Sequence, residues 1–305
     1  MIKEDRMMKT KLLFTLCIVA LLASCRQELP EEPVIGPEDK PESAEWEITV
    51  KASKEDVGTK ALDLVNDGAT LNAFWRSTER VKVYKAGTCL GTLRVIPDPG
   101  EKPLTATLSG KFAIDGLAVD DELTLMIPRD EWSYSGQTGL LTGTGSIEDT
   151  YDYALATVTV SGISGSAATT TDATFTNQQS IYRFGFKAGG SRLVVKSISL
   201  TDANGSLVRY RTLDAGIWTS TFGALELTPA AATSEPFYIA LRNESTDADT
   251  YNFIITGSDD EALFVAHKDI PAAALAAPGQ FLSAKSITAV QPDFGPSGES
   301  TSNAL

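Results

Sequence analysis

From Trp46 the chain reads WEITVKAS, an unbroken alternation in which Trp46, Ile48, Val50 and Ala52 share one parity and Glu47, Thr49, Lys51 and Ser53 the other. A helix cannot gather that pattern on one side. A strand places alternate side chains on opposite faces and buries one set. The same period returns in RVKVYK from Arg80, TLRVI from Thr92, ELTLMI from Glu122, TVTV from Thr157 and YRFGFK from Tyr182. It continues in RLVVKSISL from Arg192, PFYIAL from Pro236, YNFIITG from Tyr251, ALFVAHK from Ala262 and AKSITAV from Ala284. Asn204-Gly205 is the strongest two-residue hairpin signal, with Asp115-Gly116, Ala86-Gly87 and Gly257–Asp260 behind it, so adjacent strands are expected to run antiparallel. Only DIPAAALAAPG, from Asp269, reads as a helical turn or two. Many short strands without a βαβ rhythm predict an all-β chain of antiparallel sandwiches. With 305 residues, 42% of them hydrophobic, there is material for two cores. Gly189-Gly190 divides an N-terminal sandwich, 46–188, from a C-terminal one, 189–291.

The first residues read as an address. Lys9 and Lys11 precede an apolar run, Leu12–Leu22, of the length of an export signal's hydrophobic region and short of a membrane span. Leu22-Ala23-Ser24-Cys25 resembles the bacterial lipobox, which implies that residues 1–24 are a lipoprotein signal peptide and that Cys25 is lipidated. An ordinary secretory signal with Cys25 incidental is the alternative. Acyl chains contribute about 0.8 kcal/mol per buried CH₂, so a multiply acylated Cys25 holds the chain on a membrane. Residues 25–45 are an acidic, Pro-rich stretch with too few apolar side chains to offset their ordering entropy, and are expected to be a linker. Residues 292–305, rich in Pro, Gly and Ser, are expected to be a disordered tail.

Catalytic chemistry finds little support. The formal net charge of −14 disfavours nucleic acid as a partner. His267 is the sole histidine and falls in a predicted strand, so neither a Ser-His-Asp arrangement nor a two-histidine metal site can be assembled locally. Of three cysteines, Cys17 lies in the signal and Cys25 is the lipid site, which leaves Cys89 without a disulfide partner. The acidic runs Asp120-Asp121-Glu122 and Asp259-Asp260-Glu261 sit at predicted turns and read as solvated. The glycines of SGQTGLLTGTGSIED, from Ser135, lack the strand and helix of a phosphate cradle and read as a mobile surface loop. No enzyme activity, cofactor or metal is expected. Trp132 and Tyr134 in RDEWSYSG, with Tyr151 and Tyr153 in DTYDYA, are the best candidates for a binding surface, since loop aromatics can stack on a sugar or a protein.

The lipobox, the acidic linker and, in order, ITVKAS, GTKALDL, FWRSTERVKVYKAG, ATFTNQQSIYRFGFKAGG, FYIALRNE, YNFIITGSDDEALFVAHKDI and APGQFLSAKSITAV resemble the fimbrillin-like lipoproteins of Bacteroidetes. The resemblance spans nearly the whole chain after Cys25, although Thr78-Glu79 stands where the family commonly has Gly-Asp. It implies two tandem transthyretin-like β-sandwiches that form subunits of a pilus. It implies outer-membrane, cell-surface anchoring through lipid, then proteolysis after a basic residue and release into a fimbria. That residue is matched here by Lys60. A strand from a neighbouring subunit then fills the place of the first strand, so other pilus subunits are the expected partners, alongside the membrane and a host or bacterial surface ligand. The exchangeable strand corresponds to Trp46, Ile48, Val50 and Ala52. At about 1.5–3 kcal/mol for each large buried side chain, its removal forfeits roughly 5–10 kcal/mol and leaves a groove in need of a replacement. The connection KEDVGTKALDL is expected to be an exposed loop that trypsin cuts after Lys54 or Lys60. The tail lacks a donor's alternation, which favours a tip, anchor or accessory subunit over a stalk subunit. The competing reading is a monomeric surface lipoprotein that binds glycan or protein through the aromatic loops.

Overall fold

The stretches with a two-residue period form strands, and one parity of each faces a core. The structure is a computed structural model that describes residues 45–54, 62–65, 70–114, 116–127, 131–214, 216–259, 262–275 and 278–292. The signal peptide with Cys25, nearly all of the linker, Lys60 and residues 293–305 of the tail lie outside the described residues. The strands begin with β1 (Glu45–Lys54), β2 (Leu62–Val65), β3 (Thr70–Ala73), β4 (Arg80–Lys85), β5 (Thr88–Pro97), β6 (Thr105–Ala113), β7 (Glu122–Ile127) and β8 (Glu131–Ser133). After a π-helical turn, Ile147–Tyr151, come β9 (Ala154–Ser164), β10 (Ala167–Thr170), β11 (Ala173–Asn177), β12 (Ser180–Ala188), β13 (Ser191–Arg192), β14 (Val195–Asp202) and β15 (Val208–Asp214). Then follow β16 (Ile217–Phe222), β17 (Leu225–Leu227), β18 (Phe237–Leu241), β19 (Asp249–Gly257), β20 (Leu263–Ile270), the single helical turn α1 (Ala272–Leu275) and β21 (Phe281–Thr288).

The N-terminal strands close into a barrel-like ring where two open sheets were expected. From β1 the ladder passes through β6, β5, β4, β7 and β9, then returns to β1 through β10 and β11. β1 closes the circuit because it has partners on both sides, and closure removes the free edges that an open sheet must protect. The inward parity fills the ring with Ile48, Val50, Val81, Val83, Leu93, Leu108, Leu123, Leu125, Val158 and Phe175, among others. Pairing is not antiparallel throughout. β1 runs parallel to both β10 and β11, and β12 parallel to β21, because each of these pairs joins strands distant in the chain rather than a hairpin.

Beyond Asn177 the chain builds two further sheets packed face to face. One has β12 between β18 and β21, and the other runs β17, β14, β19, β20. Between them Phe184 meets Phe253 edge-on at 5.0 Å between centroids, and Phe186 meets the same ring at 5.2 Å. Gly189 and Gly190, with φ of 57° and 85°, form the two-residue turn of the β12–β13 hairpin, so the change of sheets falls earlier, between Asn177 and Ser180. The described residues belong to one compact unit.

Two of the anticipated turns meet different fates. Ala86 and Gly87, with φ of 49° and 81°, make the β4–β5 hairpin, as a turn with both central residues left-handed should. Asn204-Gly205 instead carries the chain from the β14 sheet to that of β15, which pairs with β16 and β8. The reason is local: Asp202 Oδ2 accepts from the N–H groups of Ser206 (2.6 Å) and Leu207 (3.1 Å), and Asn204 Nδ2 donates to Ser245 Oγ and to the Ala248 carbonyl. Side chains therefore supply the turn's hydrogen bonds in place of a ladder.

Candidate functional site

β1 is the element on which the ring depends. Its nine residues Glu45–Ser53 pair antiparallel with Ala113–Thr105 of β6. On the other flank Glu47–Thr49 run parallel with Ala167–Thr169 of β10, and Ala52–Lys54 with Ala173–Phe175 of β11. Ile48, Val50 and Ala52 are buried in the ring and Trp46 is half-buried against it. A strand held on both flanks, with a continuous inward face, occupies a slot in the strict sense. Without it β6 on one side, and β10 with β11 on the other, would each lose a ladder.

The inward parity does not stop at Ala52. The fourth residue of the series, Lys54, is buried completely along its side chain, against 3% exposure for its partner Glu79. Its Nζ donates to Glu79 Oε1 at 2.9 Å and to the Phe74 carbonyl at 2.9 Å, and stands 4.4 Å from the centre of the Trp75 ring. Glu79 Oε2 accepts from the Arg76 N–H at 2.7 Å, and Trp75 leans edge-on against Phe175 at 5.4 Å. A buried charge persists only when paired and hydrogen-bonded, and this one meets a carboxylate, a carbonyl and an aromatic face. Lys54 is consequently no exposed protease target, contrary to the expectation for the loop it opens. Its parity with Ile48, Val50 and Ala52 was the signal that could have placed it inside.

The four aromatics anticipated as a binding surface come together but are buried. Trp132 stacks on Tyr153 at 5.2 Å and meets Trp218 at 4.1 Å, and Tyr134 meets Tyr153 edge-on at 5.4 Å. Trp132 and Tyr134 have no exposure, Tyr153 2% and Tyr151 9%. The cause is β8, which leaves the ring's neighbourhood and pairs with β15, inserting Trp132 under the β15–β16 hairpin. There it packs with Tyr84 and Met126 from the ring strands and with residues of the C-terminal sheets. The Arg211 guanidinium lies over Trp218 (4.7 Å) and Trp132 (5.6 Å), and burial lowers its pKa. Burial likewise raises the Tyr134 pKa far above its usual value, so its hydroxyl stays protonated and donates to the Gln178 carbonyl at 3.3 Å. The Tyr151 hydroxyl donates to the Gly136 carbonyl. This cluster is a joint.

The segment read as a mobile loop is part of that joint. Gln137 is buried, and its amide acts as an extra strand residue: Nε2 donates to the carbonyls of Tyr134 and Ala240, both at 2.6 Å, and Oε1 accepts from the Ala240 N–H at 2.8 Å. Leu141 and Ile147 are buried against Ile181 and Ala240, which covers the second face of β12 and β18. Gln137→Leu keeps the approximate size and strands three buried polar partners. It should lower stability by about 1–3 kcal/mol for unsatisfied groups, measured by urea unfolding.

Elsewhere, a cleft of 620 Å³ opens between β20 and β21 over Tyr182 and Phe184. Burial pushes the Tyr182 pKa up to about 12. The sole histidine, His267, borders this cleft and pairs across the ladder with Asn252. Among the described residues no group of three His, Cys, Asp or Glu side chains is arranged to hold a metal, and no helix is long and apolar enough to cross a membrane. Cys89 is exposed.

The fold and its site thus define an all-β protein with a closed ring, a face-to-face pair of sheets and a strand, β1, seated between distant partners. No protein family and no curated protein matches the chain at the level of sequence. Among solved structures it is similar to a "putative cell adhesion protein" from Bacteroides ovatus, at 14% identity and a TM-score of 0.42, over 82% of this chain and 97% of that one. A protein of the same description from Bacteroides uniformis shares 14% identity at a TM-score of 0.38, over 73% and 84% of the two chains. A fimbrial assembly protein from Parabacteroides distasonis shares 9% identity at a TM-score of 0.37, over 79% and 90%.

Proposed function

We propose that this chain is a non-enzymatic structural protein of the cell surface, a lipid-anchored fimbrillin-like pilus subunit of tip, anchor or accessory type. In this reading the ring and the C-terminal pair of sheets correspond in position to the family's two domains, Cys25 carries the lipid, and cleavage after Lys60 frees β1 for exchange with a strand of another subunit. The observation that carries the reading is the seat of β1: a strand paired on both flanks by segments distant in the chain, with Ile48, Val50 and Ala52 turned into the core. Such a strand can be replaced by another of like pattern, since main-chain hydrogen bonds give affinity and alternate side chains give specificity. The rival reading as a ligand-binding lipoprotein loses its main feature, because Trp132, Tyr134, Tyr151 and Tyr153 are buried.

The test is the N-terminal residue of the protein recovered from its native cells. Lipidated Cys25 is expected in the membrane fraction and Ala61 in any fimbrial fraction. Cys25→Ala should release the protein from membranes or leave it as the precursor. An assembled fibre whose subunits still begin upstream of Trp46 would overturn the exchange, and a Cys25→Ala protein that stays membrane-bound at its normal mass would overturn the anchor.

A further inference from the structure

The cage around Lys54 is built almost entirely by the body that receives β1. Phe74, Trp75 and Glu79 all lie in the connection between β3 and β4, and Phe175, which backs the Trp75 ring, belongs to β11. The Glu79 carboxylate is oriented by the Arg76 N–H, from the same connection. Lys54 alone comes from the strand in the slot. Take β1 away, and a carboxylate, a carbonyl and an aromatic face remain pointed at one empty position.

We infer that this cage is a cation receptor that selects the strand occupying the slot and sets its register. This rests on the reading of β1 as an exchangeable strand and says which strands are accepted. The partner is an extended segment of another polypeptide whose inward side chains repeat the series Ile48, Val50, Ala52, Lys54, with a lysine or arginine six residues after the first apolar one. An apolar residue at that place forfeits the ion pair with Glu79, the hydrogen bond to the Phe74 carbonyl and the cation over the Trp75 ring. A slip by one residue turns Ser53 inward and Lys54 out, and a slip by two offers the cage Ala52. A neutral alternating strand, which satisfies every ladder hydrogen bond, is thereby rejected, and discrimination comes from the penalty against the wrong occupant.

The experiment uses the full chain with the recognition sequence of a specific protease placed between Lys54 and Leu62, cut after folding. The nicked protein is incubated at moderate urea with fluorescent peptides copying Glu45–Lys54, carrying Lys, Arg or Met at the position of Lys54. Binding is read by anisotropy and by co-elution. The Lys peptide should enter the slot, the Arg peptide should follow it, and the Met peptide should bind at least ~100-fold more weakly, the expected scale for breaking a buried ion pair by removing one partner. In a Glu79→Gln protein the preference for Lys over Met should fall below about tenfold. The comparison among peptides on the unaltered body needs no variant to fold. Equal binding of the Lys and Met peptides would overturn the receptor while leaving strand exchange intact. Failure of every peptide to enter after β1 has been released would overturn the exchange itself, and the receptor with it.

Discussion

Lys54→Met should lower the unfolding free energy of the intact chain by about 3–5 kcal/mol, the range for removing one partner of a buried ion pair. The substitution keeps most of the apolar stem and deletes the charge. What is lost is therefore the ammonium's ion pair with Glu79 and its hydrogen bond to the Phe74 carbonyl. Glu79→Leu alone should be comparably damaging, since it abandons the ammonium against Trp75 and the Phe74 carbonyl. The double variant should recover most of the loss, because an apolar pair of similar volume often matches a buried ion pair. Urea melts of the four proteins form a double-mutant cycle. A coupling energy under about 1 kcal/mol, the scale of an exposed pair, would show that Lys54 reaches water in solution.

Trp132→Ala should cost about 3–5 kcal/mol, the range for truncating a large aromatic in a core. It removes the ring that lies between Tyr153, Trp218 and Arg211. These partners come from both parts of the fold, so the variant should also loosen the coupling between the ring and the C-terminal sheets. The same contacts make the halves interdependent. A fragment of 46–187 keeps β8 but loses β15, its ladder partner, and a fragment of 191–290 loses β12, around which one of its sheets is built. Neither should unfold cooperatively alone, whereas the full chain should show one transition by circular dichroism and tryptophan fluorescence together. Cooperative melting of both fragments would mean that the aromatic joint contributes little.

What could be read in advance, and what could not, follows from the range of each interaction. Period-two alternation is a property of neighbouring residues, and it located β1, β7, β12 and β19 together with their inward faces. Ala86-Gly87 is equally local, since a left-handed pair of residues needs no distant partner. Trp132 and Tyr153 sit among Ser, Gly and Asp that signal a surface loop. Their burial is decided by β15 and β16, far along the chain, and no local pattern carries that information. The parallel seat of β1 was hidden for the same reason: its partners begin at Ala167. Asn204-Gly205 misled because the neighbouring carboxylate of Asp202 satisfies the backbone that a hairpin would have paired. Lys54 is the instructive case, since its place in the inward series was plain. A lysine in that series is ordinarily taken as the end of the buried face, and only the carboxylate of Glu79 makes it a continuation.

The seat of β1 also dictates an order of events in time. β1 precedes all of its ladder partners in the chain, and these begin near Thr105 and end at Phe175. Pairing across such separations is slow, because the entropy of closing the intervening loops is lost before the contacts form. Strands β4, β5, β6, β7 and β9 can therefore pair with one another while the gap between β6 and β11 still stands open. The mature ring has no edge to offer there, but its folding path does. A foreign strand of like pattern would have to win a race against β1, whose covalent link to the rest of the chain gives it the advantage in local concentration.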